Sequence, residues 1–180
     1  GGSSFWADVV GAVVRDTSIR REVGGSNYNA GGISQASFTG DGYVEFTLPT
    51  NGHTLSAGLS NTNTSTNYTD GEFGIYLAGP TIYIYENSSN PGSYGTFLPG
   101  SRFRIERIGG VIRYLRDGAI FYISTVPPTG ALFFDTSLYS NLATVTDVVI
   151  RACTPEDESC ARDINWFDAR NLRATDGGRT

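Results

Sequence analysis

Tyr76, Tyr83, Tyr85, Arg104, Glu106, Arg113 and Tyr122 concentrate the surface chemistry of this sequence, because each alternates with aliphatic residues in runs that hide the aliphatics. A phenol ring offers a flat face against which the C–H face of a pyranose stacks. Guanidinium and carboxylate groups offer fixed partners for its hydroxyls. Taken together, these side chains predict a shallow carbohydrate platform. Singly, each is also an ordinary β-forming residue that covers neighbours such as Leu115 and Ile120.

Other chemistries find less support. Glycoside hydrolysis asks for two carboxylates across a sugar ring. The nearest approaches are Asp70 with Glu72, which are neighbours on a loop edge, and Glu156-Asp157-Glu158, which reads as a solvated acidic turn. Glu45 and Glu106 share the polar face, but Glu106 is better explained by a cross-strand pair with Arg113. A serine or cysteine triad needs a histidine, and His53 is the single one, in the turn Asn51-Gly52-His53. No catalytic residue is assigned, and the chain is not expected to be an enzyme.

Hard oxygen donors on loops (Asp41, Asn61, Asn63, Asn67, Asp70 and Glu72) suit calcium, but no EF-hand spacing is present and no metal or cofactor is favoured. Cys153 and Cys160 bracket six residues in a polar segment and are expected to form a local disulfide, which points to an oxidising compartment. Two cysteines and one histidine are too few for a zinc site. Sequons stand at Asn63, Asn67 and Asn87.

The elements that must position these groups are strands. RFRIERI, Gly109-Gly110, VIRYLR, Asp117-Gly118 and AIFYIS follow one another from Arg102 to Ser124, and each two-residue break predicts a type I′ hairpin. The implied register sets Ile108 against Val111, Glu106 against Arg113, Tyr114 against Phe121 and Arg116 against Ala119. Phe103, Ile105, Ile112, Tyr114, Phe121 and Ile123 then form a core face. Arg102, Arg104, Glu106, Arg113 and Tyr122 form a wet one.

Further strands are predicted at 5–14, 18–23, 33–38, 43–48, 54–60, 73–77, 81–86, 93–97, 131–136 and 145–151. About 12–13 evenly spaced strands predict an all-β, antiparallel sandwich of two sheets over residues 1–152. Residues 153–180 form a mostly irregular tail with one short helix over 163–173. The chain has 180 residues, 39% hydrophobic, with 23 glycines and with arginine as its sole strong base, which suits one such domain. Its net charge of -5 argues against nucleic acid and anionic membranes as partners. No run has the apolar length of a membrane-spanning helix, and no signal peptide is recognised. The opening Gly1-Gly2-Ser3-Ser4 suits a mature product or an excised fragment.

The runs GDGYVEFTL, LSAGLSNTN, DGEFGIYL and IYIYEN, with the hairpins that follow, resemble modules of bacterial extracellular multidomain proteins. WADVVGAVV and NYNAGGISQAS extend the likeness to about residues 5–151. Such modules resemble the concanavalin A-like lectin/glucanase sandwich, a jelly roll whose superfamily includes lectins, carbohydrate-binding modules, glycosidases and protein-binding SPRY domains. The resemblance implies the fold more strongly than the function. Enzymes of that superfamily place two glutamates on one strand with an aspartate between them, and this sequence has no such run.

The leading expectation is therefore a non-catalytic, secreted or extracellular recognition module for a glycan or a cell surface. The alternative is a structural subunit of a filament, matrix or virion surface, self-associating through edge strands or the C-terminal tail. A glycan-active hydrolase ranks third.

Overall fold

Residues 4–61, 71–158 and 160 are described by the computed structural model, and they contain 14 strands. Numbered along the chain, one 7-stranded sheet runs β1 (Trp6–Val10), β4 (Gly31–Phe38), β13 (Leu132–Leu138), β6 (Thr54–Ser60), β7 (Phe73–Ala78), β8 (Thr81–Glu86), β9 (Ser89–Thr96). The other, also 7-stranded, runs β12 (Ala119–Ile123), β11 (Val111–Arg116), β10 (Ser101–Ile108), β5 (Gly42–Leu48), β14 (Thr144–Ala152), β3 (Ser18–Arg21), β2 (Ala12–Arg15). Every neighbouring pair is antiparallel, so the chain is an all-β sandwich, as the alternation predicts.

The core lies between the sheets. Val44, Phe46 and Leu48 of β5 and Phe103 and Ile105 of β10 meet Leu55, Ala57 and Leu59 of β6 and Phe73, Ile75 and Leu77 of β7, all buried. Phe46 and Phe134 bridge the layers with ring centres 5.3 Å apart. Each such ring contributes about 2–3 kcal/mol by leaving water. Both tight hairpins form as expected. Gly109, Gly110, Asp117 and Gly118 all take positive φ, and Ile108 pairs with Val111 and Arg116 with Ala119.

Two local predictions are corrected. The run 5–14 is not one strand. The chain breaks at Gly11, φ +60°, so that β1 enters the first sheet and β2 the second. A side chain there would also strike the Asn29 carbonyl oxygen at 2.7 Å. The second correction is a β-bulge that gives β12 one extra residue opposite β11. Tyr114 therefore pairs with Tyr122 rather than with Phe121. The bulge moves Tyr122 from the wet face to the inner one and turns Ile123 outward, 53% exposed.

Beyond the last strand, Cys153 and Cys160 are joined by a disulfide, and the Cys153 backbone N–H donates to the Asp41 carbonyl oxygen at 2.9 Å. The helix expected over 163–173 and the sequons at Asn63 and Asn67 lie outside the described residues. Asn87 occupies the exposed β8–β9 turn with φ 51°.

Candidate functional site

The seven residues singled out from sequence do not share one surface. Tyr76, Tyr83 and Tyr85 stand on the outer face of the first sheet. Arg104, Glu106 and Arg113 stand on the outer face of the second. Tyr122, the corrected member, points between the sheets.

On the first sheet, Tyr76 and Tyr83 are register partners on β7 and β8, and Tyr85 lies two residues further along β8. The three half-buried rings meet edge to face, with Tyr76 6.2 Å from Tyr83 and 5.2 Å from Tyr85. The Tyr28 and Tyr76 hydroxyls share a hydrogen bond of 2.9 Å, and Tyr28 packs on Tyr139 at 4.7 Å, so the belt continues onto the loop before β4. That loop is held by Arg21, whose side chain is wholly buried. Its Nη1 donates to the Asn27 and Leu138 carbonyl oxygens at 2.8 and 3.0 Å and to Asn29 Oδ1 at 2.7 Å. A buried guanidinium with these acceptors fixes the loop as a charge-assisted clamp.

Beside the tyrosines the face drops to a floor of small residues. Ser56 pairs with Tyr76 on one side and Ser137 on the other, and Gly58 pairs with Gly74 and Asp135. These residues line one shallow depression with Gly71 and Thr136. Gly58 allows two backbones to approach closely, because a Cβ there would lie 2.1 Å from the Phe73 carbonyl oxygen. Charge is segregated between the layers. Every arginine among the described residues lies in a strand of the second sheet and none in the first, whose strand carboxylates are Asp8, Glu86 and Asp135.

The outer face of the second sheet carries a ladder of ion pairs. Arg104 Nε donates to Glu106 Oε1 at 2.7 Å and its Nη1 to Glu45 Oε1 at 2.9 Å, with the guanidinium 3.9 Å above the centre of the Tyr43 ring. Arg102 Nε donates to Glu45 Oε2 at 3.2 Å, and its Nη1 donates to Thr47 Oγ1 at 2.8 Å and the Asp147 carbonyl oxygen at 3.0 Å. Arg113 closes the ladder on Glu106. Glu45 and Glu106, which could meet across strands, are thus bridged by Arg104.

Between the sheets, Tyr114 Oη donates to Glu86 Oε2 at 2.8 Å, with Tyr94 and Tyr122 packed beside the pair. Burial pushes the Tyr114 phenol well up, and the Glu86 carboxylate adds to that. Tyr94 and Tyr122 are raised by the same two causes in the same order. Among the described residues, no three His, Cys, Asp or Glu side chains form a group that could hold a metal.

Sequence reasoning missed Tyr28, Asp135 and the Ser/Gly floor. A period-2 pattern with small residues at outward positions, as in LSAGLS, was the signal available for the floor. For Tyr28 and Asp135 there was none.

No family model matches the chain, and no curated protein matches it. Solved structures do. The Emp46p carbohydrate recognition domain in its metal-free form aligns at TM-score 0.61 with 11% identity, over 83% of this chain and 89% of that one. The SPRY domain of human HERC1 aligns at 0.59 with 14% identity, over 81% and 93%. The alginate lyase AlgAT5 of Polysaccharide Lyase family 7 aligns at 0.53 with 13% identity, over 82% and 84%. The fold is the concanavalin A-like jelly roll. At such identities the concanavalin A-like likeness is one of architecture, shared by proteins of unlike activity.

Proposed function

We propose that this protein is a non-catalytic glycan-recognition module whose ligand lies on the outer face of the first sheet. The observation that carries the proposal is the meeting of Tyr76, Tyr83 and Tyr85 with a floor of Ser56, Gly58, Gly74 and Ser137. Rings provide stacking surface at low entropy cost, and the floor beside them sets hydroxyls and the Asp135 carboxylate on the same face. Arg104, Glu106 and Arg113 are assigned to holding the second sheet together, since Arg104 hydrogen-bonds Glu106 and Arg113 is ion-paired with it. Asp135 stands in its row between Ile33 and Gly58, which favours binding over a two-carboxylate hydrolysis. Carbohydrate recognition and alginate cleavage both occur on this fold, in the neighbours named above. The disulfide supports an extracellular or otherwise oxidising location, where such a module would anchor its parent protein to a glycan surface.

A glycan array probed with the purified chain tests the proposal. Binding is expected, and Tyr83→Ala and Tyr85→Ala should remove it without unfolding the chain, as circular dichroism reads. Silence across a broad array counts against it.

One observation favours a structural role as the second choice. The edge strand β12 carries no charge and no proline, and it presents Ile120 at 42% and Ile123 at 53% exposure beside Val111. The other edges have stronger guards: Asp8 and a bulge on β1, Pro91 on β9, and a short strand with Arg15 on β2. A second copy pairing along β12 would extend the sheet. Light scattering of the wild type against Ile123→Lys decides it, and a monodisperse monomer at high concentration would exclude it.

A further inference from the structure

At the end of the first sheet away from the tyrosines lies a groove of about 440 Å³, lined by Ala7, Asp8, Ile33, Gln35, Asn61 and Phe133 together with Ser34. Phe133 is half-buried and outward, since it pairs with Ser60 one residue before the inward Phe134. The polar groups around it are held in place. Gln35 Nε2 donates to the Trp6 carbonyl oxygen at 3.1 Å. Asn61 Nδ2 donates to the Thr129 carbonyl oxygen at 3.3 Å, and the Asn61 backbone N–H donates to the Glu72 carboxylate. An aromatic ring, two oriented amides and a carboxylate give this end a stacking surface and hydrogen-bond partners of its own.

The two ends are joined by register. Ala7, Ile33, Asp135, Gly58, Gly74 and Tyr85 are successive partners across β1, β4, β13, β6, β7 and β8. Five strand spacings make this row ~24 Å long. Ile33 belongs to the groove, Asp135, Gly58 and Gly74 belong to the depression beside the tyrosines, and the two glycines leave the middle without side chains. The row therefore joins the groove to the tyrosines across a buried floor that carries no side chain at Gly58 and Gly74, with an aromatic ring near each end. No arginine rises from this face among the described residues, while Asp8 and Asp135 do. A polyuronate or sulfated chain would meet like charge along its length.

We propose that the Phe133 groove is a second sugar subsite, and that it and the tyrosines together hold one linear, uncharged oligosaccharide laid across the strands. The proposal rests on the glycan-recognition reading and deepens it, naming the ligand as a neutral chain of several units rather than a terminal sugar. Two subsites on one rigid sheet make the second contact intramolecular, so affinity must climb with chain length until both ends are filled.

Calorimetry with cello-, manno- and xylo-oligosaccharides from dimer to hexamer, and with oligoalginate of matching length, tests this. For at least one neutral series, Kd should fall by roughly ten-fold or more from dimer to hexamer, the gain expected of one added aromatic subsite. Phe133→Ala should erase that gain and leave the dimer's affinity unchanged. Gly74→Val, on the floor beside Tyr85, should weaken every length. Tyr83→Ala should weaken every length. A length gain that survives Phe133→Ala, or oligoalginate binding as tightly as the neutral chains, overturns the second subsite and leaves glycan recognition standing. Absence of wild-type binding to every neutral series overturns both.

Discussion

Removing Glu106 separates a structural ladder from a ligand-binding one. The Glu106 side chain is 4% exposed, and it neutralises Arg104 and Arg113, which are 11% and 18% exposed. In Glu106→Ala, Arg104 keeps Glu45 and the Tyr43 ring, but Arg113 loses the carboxylate that balances it. Stranding one member of a largely buried pair costs about 3–5 kcal/mol, and the partial exposure of Arg113 places the expected loss near the lower bound, about 3 kcal/mol. Glu45 is 28% exposed, Arg102 beside it is 34% exposed, and Arg104 keeps Glu106 when Glu45 is lost, so Glu45→Ala should cost about 1 kcal/mol or less. Urea unfolding with an unchanged slope reads both directly. Salt should erode the Glu45 contribution and leave that of Glu106 nearly intact, because the buried pair is poorly screened. Adding Arg113→Ala to Glu106→Ala should recover part of the loss, giving a coupling of about 1 kcal/mol or more. Equal and small losses for the two glutamates would refute the assignment. The second sheet's outer face would then be an ordinary solvated surface open to a partner.

Alkaline titration should destabilise the fold. The neutral phenols of Tyr94, Tyr114 and Tyr122 are favoured by burial and by the Glu86 carboxylate, so their pKa values lie above the ordinary 10.0 in the folded state. The stability they contribute is complete below pH 10 and is lost as pH rises through the folded values, so a melting midpoint level from pH 8 to 9 should decline above 10. Tyr114→Phe, which leaves Glu86 without its 2.8 Å donor, should cost about 1–3 kcal/mol and shrink that decline. The two floor glycines should respond oppositely. Gly58→Ala drives a methyl into the Phe73 carbonyl and should unfold the chain or cost several kcal/mol, whereas Gly74→Ala should be neutral or stabilising in thermal melts. Arg21→Met should cost about 2 kcal/mol or more by taking their buried donor from the Asn27 and Leu138 carbonyls and releasing the Tyr28 loop, and glycan affinity should fall with it.

Alternation and turn chemistry are local properties, and they are written in the residues. Val44-Glu45-Phe46 or Ile82-Tyr83-Ile84 says which side chains face water, and Gly109-Gly110 or Asp117-Gly118 says where the chain reverses and in what register. The strands, the two-sidedness and the sandwich were legible for that reason. Two kinds of information were not. A bulge shifts parity by one residue without changing composition, and so Tyr122 and Ile123 exchanged faces. A sandwich also has two outer surfaces, and a period of two distinguishes outside from inside but never one outside from the other. Tyr76, Tyr83 and Tyr85 came to rest on one face with Asp135, Tyr28 and Phe133, and Arg104, Glu106 and Arg113 beside Glu45, through the long-range pairings of β13 with β6 and of β5 with β10. Those pairings are set by how the whole core packs, so only the tertiary structure could part the phenols from the guanidinia.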